Sequence, residues 1–149
     1  IARESALKVL ELTAGKVNAS YDTPLGFRHG PKSVINDKSI TTIYISNDKY
    51  TRLYDIDLAK EILAHRKGDK IVLVGCDIEN SLKENVDYAF DLEKINYTVG
   101  NEALLPLQQI VFGQILSFLK SENLGITPDN PCPTGEVNRV VQGVVIYNL

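Results

Sequence analysis

The chain is poor in the residues that announce metal or redox centres. Its 149 residues hold two cysteines and two histidines. Cys76 and Cys132 form no CxxC and no ligand-type spacing, so no zinc or other metal site is expected. Cys76 ends the apolar run IVLVGC and reads as a buried free thiol, while Cys132 stands between two prolines in a loop. Two unpatterned cysteines offer no disulfide framework and suit a reducing, cytoplasmic setting. There is no signal-peptide pattern, and no apolar run approaches the length of a membrane span, so no membrane partner is expected. A basic surplus is also missing. Lys and Arg total 16 against 19 Asp and Glu, a net charge of -3, which argues against nucleic acid as the partner. The one tight basic group is Arg28, His29 and Lys32, which could suit a small anion.

What is present has the length and composition of one domain with a proper core: 44% of residues are hydrophobic and 23% charged. Residues 2–16 carry a helical pattern that should stop near Gly15. Residues 17–21 could form a short strand. A Gly/Pro loop follows, with a short helix expected over about 30–35. ITTIYIS, at 40–46, is a β-branched strand pattern, and a helix should start near Asp48 and finish by Gly68. KIVLVGC, at 70–76, is a near-continuous apolar run of the kind buried on both faces of a parallel sheet. A weaker strand is expected at 86–92. A long apolar helix follows over 101–125, bent at Pro106. The tail has a Pro-rich loop and a last apolar segment at 140–147. Alternating strands and helices predict an α/β three-layer sandwich, with a mostly parallel, flavodoxin-like sheet between helices. Ligands in such sheets bind at the carboxyl ends of the strands, near a switch in strand order. The helical pattern begins at Ile1 with no capping residue before it, so the chain is expected to be cut from a longer one.

Two features carry chemistry. On a helical wheel Glu4, Lys8 and Glu11 form a narrow charged stripe on a mostly apolar rod. This is either a solvated strip of ion pairs, worth tenths of a kcal/mol, or the polar wall of a cleft in which carboxylate and ammonium tune each other. The second feature is PLGFRHGPKS, which sets His29 in a basic Gly/Pro-framed loop. It reads either as a loop histidine capping a backbone group or as an acid–base group that works near neutral pH. Two carboxylates, a lysine and a histidine in one cleft would suit aldose–ketose isomerisation. The histidine would open the ring, a carboxylate would move a proton between C1 and C2 through an enediol, and a cation would stabilise the oxyanion. None of these steps needs a metal or an organic cofactor.

The pattern ESALKVLELTAGKV followed by PLGFRHGPKSVI resembles the second SIS (sugar isomerase) domain of two-SIS-domain sugar-phosphate enzymes. The isomerase half of glucosamine-6-phosphate synthase has a comparable helix and an H-G-P loop. The segments LGFRHGPKS, ISNDKYT and TPDNPCPTGEVNRVVQGV are closer to the tagatose-6-phosphate ketose/aldose isomerase branch, which includes galactosamine-6-phosphate deaminase/isomerases. The resemblance implies roles. Glu11 matches the glutamate that shuttles the C1–C2 proton, with Lys8 and Glu4 as its neighbours on the active-site face. His29 matches the ring-opening histidine, which the synthase offers across a dimer interface, so a homodimer or higher homo-oligomer is implied. Arg28, Lys32, Asn138 and Arg139 are candidates for holding sugar hydroxyls or phosphate. The spacing from Glu11 to His29 is longer than in the synthase. Where the synthase has a C-terminal imine-forming lysine, the comparable position is Gln142, which leaves Lys8 as the nearest cation. The usual Ser/Thr-rich phosphate loop has its only analogue at 46–51, where Asp48 reads as a helix cap. The main phosphate loop is therefore expected in an N-terminal SIS domain of the same parent chain, and the isolated chain is expected to turn over little or no substrate. The alternative is a SIS module that binds sugar phosphate as a sensor or structural unit without catalysis.

Overall fold

The computed structural model describes residues 1–92, 104–137 and 143–148. Helix α1 (Ala2–Leu12) begins with the Ser5 N–H donating to the Ile1 carbonyl at 2.9 Å. It ends at Leu12, short of Gly15, because the backbone reverses at Ala14, φ +50°, while the Thr13 hydroxyl bonds the Val9 carbonyl at 2.6 Å. Gly15 then takes φ +70°, and its N–H satisfies the Leu10 carbonyl at 2.9 Å. Residues 17–21, read above as a possible strand, carry no regular structure. They are an isolated apolar–polar stretch that pairs with no strand. Helix α2 (Pro24–Arg28) starts on a proline and is capped by the Thr23 hydroxyl, which accepts from Gly26 N at 3.1 Å. A 3-10 turn, Pro31–Val34, takes the place expected for a short helix.

Strands β1 (Ile40–Tyr44), β2 (Lys70–Gly75) and β3 (Tyr88–Asp91) form a parallel sheet in the order β1-β2-β3. Tyr44, Val74 and Phe90 lie in one row of the register, and Ile43, Leu73 and Ala89 in the next. Side chains alternate across a strand, so these rows face opposite ways. The strand order does not reverse among the described residues, so the expected switch point is not seen there.

Helix α3 (Lys49–Ala64) covers the Ile43/Leu73/Ala89 face. Ile56, Ala59 and Ile62 pack with Ile43, Ile71 and Leu73 into the main core, and Leu82 of the short helix α4 (Asn80–Lys83) joins them. Asp48 caps α3 as expected, accepting from Tyr50 N at 3.2 Å and Thr51 N at 2.8 Å. The backbone bond from Thr51 leads in holding its carboxyl below the usual range. Helix α5 (Leu105–Asn123) covers the other face, where Phe112 meets Tyr44 and Phe90 with ring centroids 6.4 and 4.9 Å away. Pro106 does not bend this helix. It occupies the first turn, where no N–H is needed. Helix α1 packs against α5 on that same face, where its Ser5 reaches Tyr44 of β1. A three-layer α/β sandwich results, with β2 buried from Ile71 to Gly75 as its apolar run predicts. The outer face of α5 leaves Leu107, Val111 and Ile115 exposed, at 67%, 47% and 53%. No helix among the described residues is long and apolar enough to cross a membrane.

Candidate functional site

The charged stripe on α1 forms as its spacing predicts. Lys8 Nζ lies 2.7 Å from Glu11 Oε2 and 3.5 Å from Glu4 Oε1. The hydrogen bond to Glu11, with the fields of both carboxylates, holds the Lys8 ammonium above the usual lysine range. The charge is therefore fixed, and the amine is not a free nucleophile near neutrality. These side chains are 31% to 46% exposed, so their pairing stabilises the fold by at most about 1 kcal/mol. The depth of the stripe is set one residue away. The Ser5 hydroxyl bonds the Tyr44 hydroxyl at 2.7 Å, and a Cβ at Gly113 would stand 2.3 Å from Ser5 Oγ. Only glycine at 113 lets α1 sit this close to α5.

His29 lies elsewhere. It is the residue that ends α2, its N–H donating to the Gly26 carbonyl at 3.1 Å, and it stays exposed. Because α2 and the 3-10 turn pack with α3 while α1 packs with α5, His29 and Glu11 are on opposite faces of the sheet. The structure brings Glu4, Lys8 and Glu11 together, and separately Arg28, His29 and Lys32, but does not join the groups within one chain. Asn138, Arg139 and Gln142 lie outside the described residues.

The second group lines a cavity of about 300 Å³ between the His29 loop and the end of α3. Glu61 organises it. Arg28 Nε is 2.8 Å from Glu61 Oε2, and Lys32 Nζ bonds Oε1. The Lys32 bond leads in holding the Glu61 carboxyl below its usual range. His65, the residue that ends α3, has Nδ1 3.0 Å from the Glu61 carbonyl, and Lys67 completes the wall. The sequence reading missed Glu61, His65 and Lys67. His65, as the chain's other histidine, was the available signal, whereas pairing across 29 residues and more leaves no local pattern.

At the carboxyl ends of the strands, where α/β ligands usually sit, the polar groups are engaged in holding the sheet. Gln109 Nε2 donates to the carbonyls of Ile45 and Val74 at 2.9 and 3.2 Å. Asp55, buried, accepts from Ser46 N at 2.9 Å, and Arg52 bridges the carbonyls of Ser46 and Asp77. Cys76 is the buried free thiol expected, and burial pushes its thiol up.

No family model matches the sequence. The chain is 43% identical over 149 residues to a Streptomyces coelicolor protein provisionally named D-galactosamine-6-phosphate deaminase AgaS, covering 100% of this chain and 38% of that protein. It is 43% identical over 148 residues to the D-galactosamine-6-phosphate deaminase AgaS of Shewanella sp. ANA-3, covering 99% of this chain and 34% of that one. The crystal structure of a Clostridium novyi NT protein, provisionally named a tagatose-6-phosphate ketose/aldose isomerase, superposes with a TM-score of 0.92 at 47% identity. That match covers 99% of this chain and 38% of the other. The chain has a SIS-type fold and resembles these sugar-phosphate proteins. It spans less than two fifths of the length of the curated relatives it matches. Those relatives are named as galactosamine-6-phosphate deaminases or as a tagatose-6-phosphate ketose/aldose isomerase.

Proposed function

We propose that the chain is the C-terminal SIS domain of a cytoplasmic two-SIS-domain enzyme that isomerises a ketose or aldose 6-phosphate, or deaminates and isomerises an aminosugar 6-phosphate. The observation that carries the reading is the fixed Glu4–Lys8–Glu11 arrangement, on a chain so similar to galactosamine-6-phosphate deaminases. In this reading Glu11 moves the proton between C1 and C2. Lys8, kept charged by its two carboxylates, stabilises the enediol oxyanion, and Glu4 holds Lys8. His29 opens the ring, with Arg28 and Lys32 beside it. Asn138 and Arg139 are proposed to hold substrate as well, on the family resemblance alone.

Glu11 and His29 on opposite faces of one sheet cannot meet around one sugar unless a second polypeptide surface completes the site. The proposal therefore includes a homodimer or higher oligomer and an N-terminal SIS domain that supplies the main phosphate loop. The exposed apolar face of α5 supports such packing, since isolated soluble domains seldom leave a contiguous apolar stripe uncovered. The same separation would also suit a sensor or structural module that binds sugar phosphate without turning it over. An NMR assay of the full-length protein with tagatose 6-phosphate and galactosamine 6-phosphate separates these readings, and ammonia release marks the deaminase. Glu11→Gln should lower kcat by 100-fold or more, about what a lost general base costs. Turnover within a few-fold of wild type would remove Glu11 from the proton shuttle. His29→Ala should slow cyclic substrate while sparing open-chain analogues.

A further inference from the structure

Glu61 has no part in the reaction proposed above, yet both flanks of His29 are tied to it. Arg28 Nε is 2.8 Å from Glu61 Oε2, and Lys32 Nζ bonds Oε1. One carboxylate on α3 thus takes a cation from each side of His29. The Lys32 bond, with the fields of Lys32 and Arg28, holds the Glu61 carboxyl below its usual range, so the anion is kept well below neutral pH. Two cations that look in the sequence like an anion site are therefore partnered within the chain.

The loop that carries His29 depends on these ties. Phe27 and Ile35 pack on the main core at its two ends. Between them, the side-chain bonds that reach another element are those of Arg28 and Lys32. The backbone bonds there are local. The His29 N–H donates to the Gly26 carbonyl at 3.1 Å and closes α2, while the Ser33 N–H donates to the Gly30 carbonyl at 2.9 Å and opens the 3-10 turn. Neither bond spans the peptide between His29 and Gly30. A Cβ at Gly30 would meet nothing within 4 Å, so no neighbour wedges the loop at that point. Glu61, by contrast, is firmly mounted. The next residue, Ile62, is buried in the main core, and the Glu61 carbonyl accepts from the His65 N–H at 3.3 Å in the last turn of α3.

We propose that Glu61 is a positioning residue for His29: by holding Arg28 and Lys32 on either side, it fixes where the imidazole is presented to a sugar ring oxygen. This rests on the reading of His29 as the ring-opening group. Glu61 acts only through His29 and moves no proton itself. An acid–base group must be held within a few tenths of an ångström of its working place, and an exposed imidazole on a loop without its own tertiary bonds meets that need only through its neighbours.

The test is a double-mutant cycle in the full-length protein. Turnover is measured on galactosamine 6-phosphate and tagatose 6-phosphate, which are cyclic in solution, and on an analogue lacking the ring-forming hydroxyl. Glu61→Gln keeps the shape and removes the charge. It should lower kcat on cyclic substrate about ten- to a hundredfold, the cost of misplacing a reacting group by about 1 Å. KM should change by less than about twofold, and the open-chain analogue should react at the wild-type rate. In a His29→Ala background the same substitution should cost nothing further, because residues that act as a unit are not additive. Glu61→Asp keeps the charge and should recover most of the lost rate. Equal losses in both backgrounds, wild-type turnover of Glu61→Gln on cyclic substrate, or no recovery in Glu61→Asp would overturn the inference. Hydrogen exchange on the same proteins reads the loop without turnover. Peptides covering 26–35 should exchange faster in Glu61→Gln, while those of α1 and β2 keep their protection. Unchanged exchange over 26–35 would also overturn the inference. His29→Ala alone separates the two readings. If it leaves cyclic turnover at the wild-type rate, the ring-opening assignment fails and the exchange data still decide whether Glu61 holds the loop. If it is slow while Glu61→Gln is not, the ring-opening assignment stands and Glu61 is not its support.

Discussion

Gly113 offers a test of how the α1 stripe is positioned. In a helix interior alanine is ordinarily favoured over glycine by about 1 kcal/mol, so Gly113→Ala should stabilise α5 if nothing opposes it. Something does. The new methyl would stand 2.3 Å from Ser5 Oγ, 2.8 Å from Ser5 Cβ and 3.2 Å from Tyr44 Oη. Rotating the Ser5 hydroxyl relieves the first contact but breaks its 2.7 Å bond to Tyr44, a loss of about 1 kcal/mol. Rotation does nothing for the second contact, because Cβ is fixed to the backbone, so α1 must back away from α5. Overpacking of this kind costs about 1–3 kcal/mol. The balance is a loss of about 1–3 kcal/mol, read as a Tm lower by roughly 2–12 °C for a domain of this size. Urea unfolding of wild type, Gly113→Ala, Ser5→Gly and the double variant completes the measurement. The double variant restores the space, so the cycle should show favourable coupling of about 0.5–3 kcal/mol. A Gly113→Ala chain more stable than wild type, or additive single effects, would refute the close approach that fixes the stripe.

Two further predictions rest on charge. Asp87 accepts from Ile71 N and Lys70 Nζ, both at 2.9 Å, and pairs with Arg66, and the Ile71 bond leads in depressing its carboxyl. A depressed folded-state value stabilises fully above the unfolded value of about 3.9 and is lost as pH falls through the lower folded value. Asp87→Asn should therefore be less stable than wild type at pH 7 in denaturant titrations, with the gap closing below about pH 4. A gap that persists unchanged into acid would show that the pairing carries none of it. For Lys8 the shift is upward, so the ammonium persists as pH rises past neutrality and is lost only in the alkaline range. Borohydride added with an open-chain sugar phosphate at pH 7 should leave Lys8 unmodified by peptide mass spectrometry, and an adduct there would refute its role as a fixed cation.

What could be read in the sequence was whatever is local or periodic. The apolar run at 70–76 and the Asp48 cap became β2 and the start of α3, and the Glu4, Lys8 and Glu11 spacing became an ion-pair cluster. The misreadings share a cause. At 17–21 propensity had no partner strand to act on, and at Pro106 the helix begins where the ring is harmless, which the apolar pattern across it disguised. Glu61 was unreadable because its importance comes from Arg28 and Lys32, far along the chain. A carboxylate in the middle of a charged helix looks solvated until tertiary contact puts two cations on it.

The same limit governs the site as a whole. Sequence adjacency suggested one cleft, since only a short stretch separates Glu11 from His29. The sheet overrules that adjacency, because the chain passes from the α5 face to the α3 face between them. Two acid–base groups act on one sugar only when their polar atoms come within a few ångströms of its C1–C5 skeleton. With the sheet between them, a single copy of this fold can supply the proton shuttle or the ring-opening group to any one sugar, not both. A catalytic reading of both residues is thus also a statement about assembly. If Glu11→Gln and His29→Ala chains, each inactive as a full-length protein, regain activity when mixed, the two groups come from different copies. If mixing restores nothing while the oligomers exchange subunits freely, the two residues do not share a site.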